Sequence, residues 1–189
     1  MRKILFLGTL AAAALLTLPV LAATDVPLAP FKSVGLQGGG DVVLKHGDVQ
    51  RVTLLKGSTA FTTFKVHGDS LNIEACNHNC PDHYDLQIEI VSPAIDSVAI
   101  EGGGSIKAEG SFPAAGELSA AVSGGGDIDV RGISASRVNA AVDGGGGIRT
   151  TATQALNAAV SGGGDITYWG NPEVRQAVSG GGAVEHASR

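Results

Sequence analysis

The chain has 189 residues, with 13 Lys and Arg against 18 Asp and Glu and a formal net charge of −5 at pH 7. It is one domain's worth of chain, long enough to bury a core. Its acidic balance disfavours nucleic acid, whose binding draws on Lys and Arg neutralising phosphates, and docking on anionic lipid. With 28 Gly and only 4% aromatic residues, a core of large side chains is excluded.

Residues 1–22 read as a cleaved signal peptide. Arg2 and Lys3 form a basic start, Ile4 to Leu21 is an apolar run, and Ala22 and Ala23 are small residues at the expected cleavage site. The basic flank lies only on the N-terminal side, which disfavours a retained membrane anchor. No Cys follows the run, so no lipid-modified N-terminus is expected. The expectation is a soluble mature chain in the periplasm or outside the cell.

From Phe31 to Pro93 the chain is strand-like but irregular. Val42–Leu44, Val52–Leu55, Phe64–Val66, Leu71–Ala75 and Leu86–Val91 are short apolar runs. Turn signals at His46-Gly47-Asp48, Lys56-Gly57-Ser58 and His67-Gly68-Asp69-Ser70 separate them. Between two of these runs lies Cys76-Asn-His78-Asn-Cys80-Pro-Asp-His83. Two Cys and two His could hold Zn or Cu, but the spacing matches no common zinc module. In an oxidising compartment a structural Cys76–Cys80 disulfide is the favoured reading, and no metal is assigned.

The pattern apolar-x-Gly-Gly-Gly-x-apolar occurs six times. The apolar pairs are Leu36/Val42, Ile100/Ile106, Val122/Ile128, Val142/Ile148, Val160/Ile166 and Val178/Val184. The glycines are Gly38, Gly39 and Gly40; Gly102, Gly103 and Gly104; Gly124, Gly125 and Gly126; Gly144, Gly145 and Gly146; Gly162, Gly163 and Gly164; Gly180, Gly181 and Gly182. The last five copies are spaced by 22, 20, 18 and 18 residues, a structural period.

Either side of the glycines the chain alternates apolar and polar with period two, as in Leu118, Ala120, Val122 and then Ile128, Val130. This marks strands with one buried face, and no helical periodicity competes with it. One unit cannot bury its own apolar face, but stacked copies about 4.8 Å apart can. Glycine corners supply positive φ and close approach of backbones, and the inward Ala residues suggest a narrow interior. The expected fold is all-β: a single-stranded parallel β-helix, or β-solenoid, with about 18–22 residues per coil in its C-terminal half. It would form a single domain over residues 31–186, with irregular coils at 31–100 and regular triglycine coils at 101–186. An antiparallel β-sandwich is the alternative. In-register stacking would align Glu101, Ser123, Asp143, Ser161 and Ser179 in one column and Ser105, Asp127, Gly147, Asp165 and Ala183 in another.

Several of these segments resemble one family: Phe31-Lys32-Ser33-Val34, Asp41 to Asp48, Ile90-Val91-Ser92-Pro93, Asn157 to Ile166, and the closing Gly164 to Pro172. The family is that of putative auto-transporter adhesin head domains, also called GIN domains, which have no assigned function. The resemblance spans about residues 31–186. It implies right-handedness for the β-helix and an exported protein, and it transfers no catalytic residues.

No enzyme is expected, and no cofactor. Asp127, Asp143 and Asp165 could gather as the paired carboxylates of a polysaccharide-acting enzyme, but solvated polar ladders are the favoured reading. Ser123, Ser161 and Ser179 lack a His at a matching position to form a nucleophile–base pair. His46, His67 and His186 fall at turns or near the end of the chain. The triglycines lack both the partner repeat of a calcium β-roll and the Lys-Ser/Thr of a phosphate loop. Tyr168-Trp169 reads as an edge-covering contact before a sugar-stacking platform. The expected role is an exported structural or interaction module for an envelope or surface polymer, lipid or protein. A polysaccharide-acting enzyme, or a periplasmic metal-binding protein using the Cys76–His83 loop, are the alternatives.

Overall fold

The computed structural model describes residues 23–188; the signal-peptide reading of residues 1–22 lies outside the described residues. The described chain is all-β and forms one mixed sheet. Its first strands are β1 (Thr24–Val26), β2 (Ser33–Gly38), β3 (Asp41–His46), β4 (Arg51–Lys56), β5 (Thr63–His67), β6 (Ser70–Glu74) and β7 (Gln87–Ser92). There follow β8 (Ser97–Gly102), β9 (Ser105–Glu109), β10 (Ala115–Gly124), β11 (Asp127–Gly144) and β12 (Gly147–Gly162). The last are β13 (Asp165–Trp169), β14 (Glu173–Gly180) and β15 (Ala183–His186).

Each triglycine joins an incoming strand to an outgoing one, and we call this unit a rung. β11 and β12 each leave one corner and run on into the next. Incoming strands pair in parallel in the order β2, β8, β10, β11, β12, β14. Outgoing strands pair in parallel in the order β3, β9, β11, β12, β13, β15. The register superimposes the corners, so that Gly102 lies between Gly38 and Gly124, and Gly144 between Gly124 and Gly162.

The expectation of a purely parallel β-helix needs correcting at the N-terminal end. Strand pairs β1/β4, β4/β7 and β5/β6 are antiparallel. The rungs also do not stack in chain order: β2 lies between β6 and β8, and β3 between β7 and β9. Residues 31–100 are therefore not a run of degenerate coils that follow one another. The cause is local. His67 pairs with Ser70 across the two-residue loop Gly68-Asp69, and so short a loop joins only antiparallel strands. Gly68 supplies the positive φ, 59°, that this turn requires.

Inward side chains from both legs form one hydrophobic cluster. Leu36, Ile100, Val122, Val142 and Val160 line one column, and Val42, Ile106, Ile128, Ile148 and Ile166 the other, all at most 2% exposed. Each such side chain contributes roughly 1.5–3 kcal/mol by burial. Ala120, Ala140 and Ala158, also buried, keep the space between the legs narrow. The pattern fails at the last rung, where Val178 is 44% exposed because among the described residues no strand stacks beyond β14.

Candidate functional site

The glycine edge runs the length of the stack, and its three positions have different causes. The first glycine of every corner has positive φ, as at Gly144 (125°). The third has positive φ in the first two corners, at Gly40 and Gly104, and in the later four is a matter of space: a Cβ on Gly146 would collide with the Gly126 carbonyl oxygen and with a methyl of Val122, 2.7 Å away. The middle glycine faces open solvent, and a Cβ on Gly145 would meet nothing within 4 Å. Backbone hydrogen bonds close the corners rung on rung, with the amides of Gly145 and Gly146 donating to the Gly124 carbonyl at 2.9 and 3.1 Å.

Carboxylates flank this edge in alternation. The register aligns Glu74, Gln37, Glu101, Ser123, Asp143, Ser161 and Ser179 before the corners. After them it aligns Gln87, Asp41, Ser105, Asp127, Gly147, Asp165 and Ala183. Both columns read from the sequence are thus in register, and they extend two rungs further. No two acids are vertical neighbours in either column, which avoids like charges directly opposite across paired strands. Neutral neighbours hydrogen-bond the acids, as in Gln37 Nε2 to Glu101 at 3.0 Å and Ser105 Oγ to Asp41 at 2.6 Å. Asp127 and Asp165 are separated by Gly147, two strand spacings or about 9.6 Å along the stack. They border a notch of about 200 Å³, smaller than the roughly 300–1,000 Å³ of ordinary ligand pockets. Ser123, Ser161 and Ser179 stand in a column without His.

The outer face of the incoming strands is flat. Ala99, Ala121, Ala141, Ala159 and Ala177 form a straight lane across five rungs. On one side lie Glu101, Ser123, Asp143, Ser161 and Ser179, and on the other Ser97, Ser119, Asn139, Asn157 and Arg175. Asn157 donates to Asn139 at 2.9 Å and Asn139 to Glu117 at 2.7 Å, so the amide row is tied together. Two shallow grooves of about 540 Å³ each follow the lane.

Cys76 and Cys80 are bonded, with Cα atoms 6.1 Å apart. Their loop takes the place of a triglycine corner in the rung of β6 and β7, where a longer connection replaces the glycines. The bond occupies the two thiolates that a metal site would need. His46 packs on Phe112 and His186 on Tyr168, with ring centroids 5.7 and 5.0 Å apart; His67 is exposed in the β5/β6 turn.

Tyr168 and Trp169, adjacent in β13, part company. Tyr168 faces inward with Ile166 and packs against the core, covering the end of the interior with His186. Trp169 faces outward, where the Arg131 guanidinium lies 4.9 Å from its ring centroid. Arg131 in turn makes a two-point contact with Asp129, at 2.8 and 2.6 Å. Partial burial pushes the Asp129 carboxyl upward, but the Arg131 hydrogen bonds and charge, with Arg149 adding, outweigh burial and hold it below its ordinary value. Reading the sequence missed this pair. The signal present was Asp-x-Arg beside Gly132 in the 20-residue repeat, two residues longer than the two that follow it.

Residues 112–172 match the family model described as putative auto-transporter adhesin, head GIN domain. No curated protein matches the chain. The crystal structure of a putative adhesin from Bacteroides fragilis is similar at a TM-score of 0.51 and 17% identity, covering 88% of this chain and 96% of that one; the likeness is one of fold. A putative adhesin from Parabacteroides merdae has a TM-score of 0.43 and 16% identity, again over 88% of this chain and 96% of that one. A putative lipid binding protein from Parabacteroides distasonis has a TM-score of 0.37 at 16% identity over the same shares. Over residues 112–172, which hold the corners at Gly124, Gly144 and Gly162, the chain is thus matched to the putative auto-transporter adhesin head (GIN) family that its sequence resembles.

Proposed function

We propose that this chain is an exported, non-enzymatic interaction module of the adhesin-like kind. In this reading its triglycine rungs form a parallel β-helix, and its flat face holds an extended component of the envelope or cell surface. The observation that carries the reading is the Ala99–Ala177 lane, straight and in register over five rungs, between a hydroxyl–carboxylate row and a hydroxyl–amide row. Small side chains let a partner approach the sheet closely, and the polar rows fix its orientation. The lane is about 19 Å long at four strand spacings, which suits a linear partner. The acids do not form a pair in a substrate-sized cleft, which supports binding over hydrolysis.

The test measures retention of the purified mature protein on isolated cell envelopes. Ala141→Arg puts a long charged side chain in the middle of the lane, and Ser111→Arg adds the same charge in an exposed loop elsewhere. Retention should fall at least about tenfold for Ala141→Arg and stay near wild type for Ser111→Arg. Equal retention of both variants would overturn the reading.

A further inference from the structure

A cavity of about 640 Å³ opens on the outer side of the stack, lined by Arg131, Thr151, Thr153, Trp169, Asn171 and His186 among others. We propose that this cavity binds the ring of a neutral saccharide, with the Trp169 indole as the surface on which the ring stacks. The proposal rests on the interaction-module reading and names a ligand class for it.

The cavity exists because β11 bulges. β11 advances from Asp129 to Ser134 while its partner β12 advances only from Arg149 to Thr151. Such a bulge re-aims side chains. Gly132 lets it press on the preceding rung, since a Cβ there would run into the Gly110 carbonyl oxygen. Arg131 is thereby carried out over β12 to reach Trp169 on β13, held in place by Asp129.

The lining chemistry selects the ligand. The Thr151 and Thr153 hydroxyls donate to the carbonyls of Arg131 and Ala135 at 3.2 and 3.3 Å, so their oxygens remain as acceptors. His186 Nε2 lies 2.9 Å from the Gly170 carbonyl; when Nε2 carries the proton, Nδ1 is left as an acceptor. Asn171 adds an exposed amide with both donor and acceptor. These acceptors stand beside free N–H donors of Arg131, Asn171 and the Trp169 indole, so the wall suits a neutral ligand whose hydroxyls both donate and accept. An anion gains little, because the Arg131 charge is already matched by Asp129. A cation finds no carboxylate among the lining residues. An apolar ligand would leave the polar groups without partners, which is costly. The volume lies within the range of small-ligand sites, and the half-buried indole, one face of which carries the Arg131 guanidinium, offers its other face as apolar surface beside these polar groups.

Trp169 is the only tryptophan of the chain, so its fluorescence reports this cavity alone. The mature protein is titrated with cellobiose, chitobiose, lactose, maltose and mannobiose, and with a sulfated chondroitin disaccharide as the anionic comparison. The expected result is a saturable change in emission with at least one neutral disaccharide and a weaker one with the anionic disaccharide. By calorimetry, Asn171→Ala and Trp169→Ala should each weaken that binding at least about tenfold, and Trp169→Phe should weaken it less than Trp169→Ala. Asn171 is exposed, so its variant keeps the test valid if Trp169→Ala fails to fold. The proposal is overturned if no neutral disaccharide changes the emission at millimolar concentration, if the anionic one binds more tightly, or if Asn171→Ala binds as the wild type does. Ala141→Arg should keep disaccharide binding. Envelope retention that depends on Ala141, with no disaccharide binding, sinks the cavity alone; disaccharide binding without an Ala141 effect sinks the lane alone.

Discussion

Gly145 and Gly146 are identical side by side, yet the structure asks different things of them. Gly146 lies against the backbone of the rung below, and a methyl group there must displace the Gly126 carbonyl. Gly145 has open space and a backbone without the positive φ that its neighbour Gly144 adopts. Gly146→Ala should therefore cost on the order of 2 kcal/mol, as overpacking does. Gly145→Ala should be neutral within about 0.5 kcal/mol, or slightly stabilising through loss of unfolded-state freedom. Urea denaturation of both variants checks this, and equal midpoints would contradict the assignment of the corner positions. Thr150 has a fully buried side chain whose hydroxyl has no hydrogen-bond partner among the described residues, and nothing in the structure explains its choice over Val.

The strands carry their charge as columns, so the effect of a new acid depends on its rung. Ser123 lies between Glu101 and Asp143, Ser161 between Asp143 and Ser179, and Ser179 beside Ser161 alone. Ser123→Asp gains two acidic neighbours, Ser161→Asp one and Ser179→Asp none. The expected loss of stability is about 0.5–1 kcal/mol for the first, about half that for the second and near zero for the third. The differences should shrink in high salt, because exposed charges are screened. Melting temperatures at low and high salt read the series, and any order other than this one would count against the register. The columns also explain how β13 separates two adjoining aromatics: period two sends Tyr168 to the core and Trp169 to solvent.

Across the molecule, the two ends of the stack are unlike. Antiparallel strands β5 and β1/β4 cover the N-terminal end, while among the described residues β14 and β15 each have a neighbour on one side only. The inward column Ala120, Ala140, Ala158 ends in the exposed Gln176, a polar residue where an unpaired edge would otherwise invite another strand. In a stack that holds together rung by rung, the same truncation should cost less toward the open end. Val142→Ala removes a side chain that is 2% exposed and Val178→Ala one that is 44% exposed, in the same column. We expect losses of about 2 kcal/mol for the first and less than about 1 kcal/mol for the second. Chemical denaturation compares them directly, and a cost at Val178 equal to that at Val142 would show that the last rung is buried in solution by a partner.

The repeating half of the chain is legible in the amino-acid sequence itself. Strand type, inward positions, triglycine corners and even the register of Glu101 to Ser179 follow from a pattern repeated at nearly constant spacing, because stacked copies must superimpose to bury their apolar faces. The Cys76–Cys80 pairing was legible for a similar reason, since two cysteines so close in a turn have little choice of partner. Where the period lapses, between Gly40 and Gly102, the sequence could not say which rung neighbours which. That order came from contacts between residues far apart, such as Ser33 with Ser97, while a short turn forces the antiparallel β5/β6 pair at the margin. The Arg131–Trp169 cavity was equally out of reach. It arises from a bulge in one strand seen against its neighbour, and only the pairing of β11 with β12 turns a few additional residues into a wall around an indole.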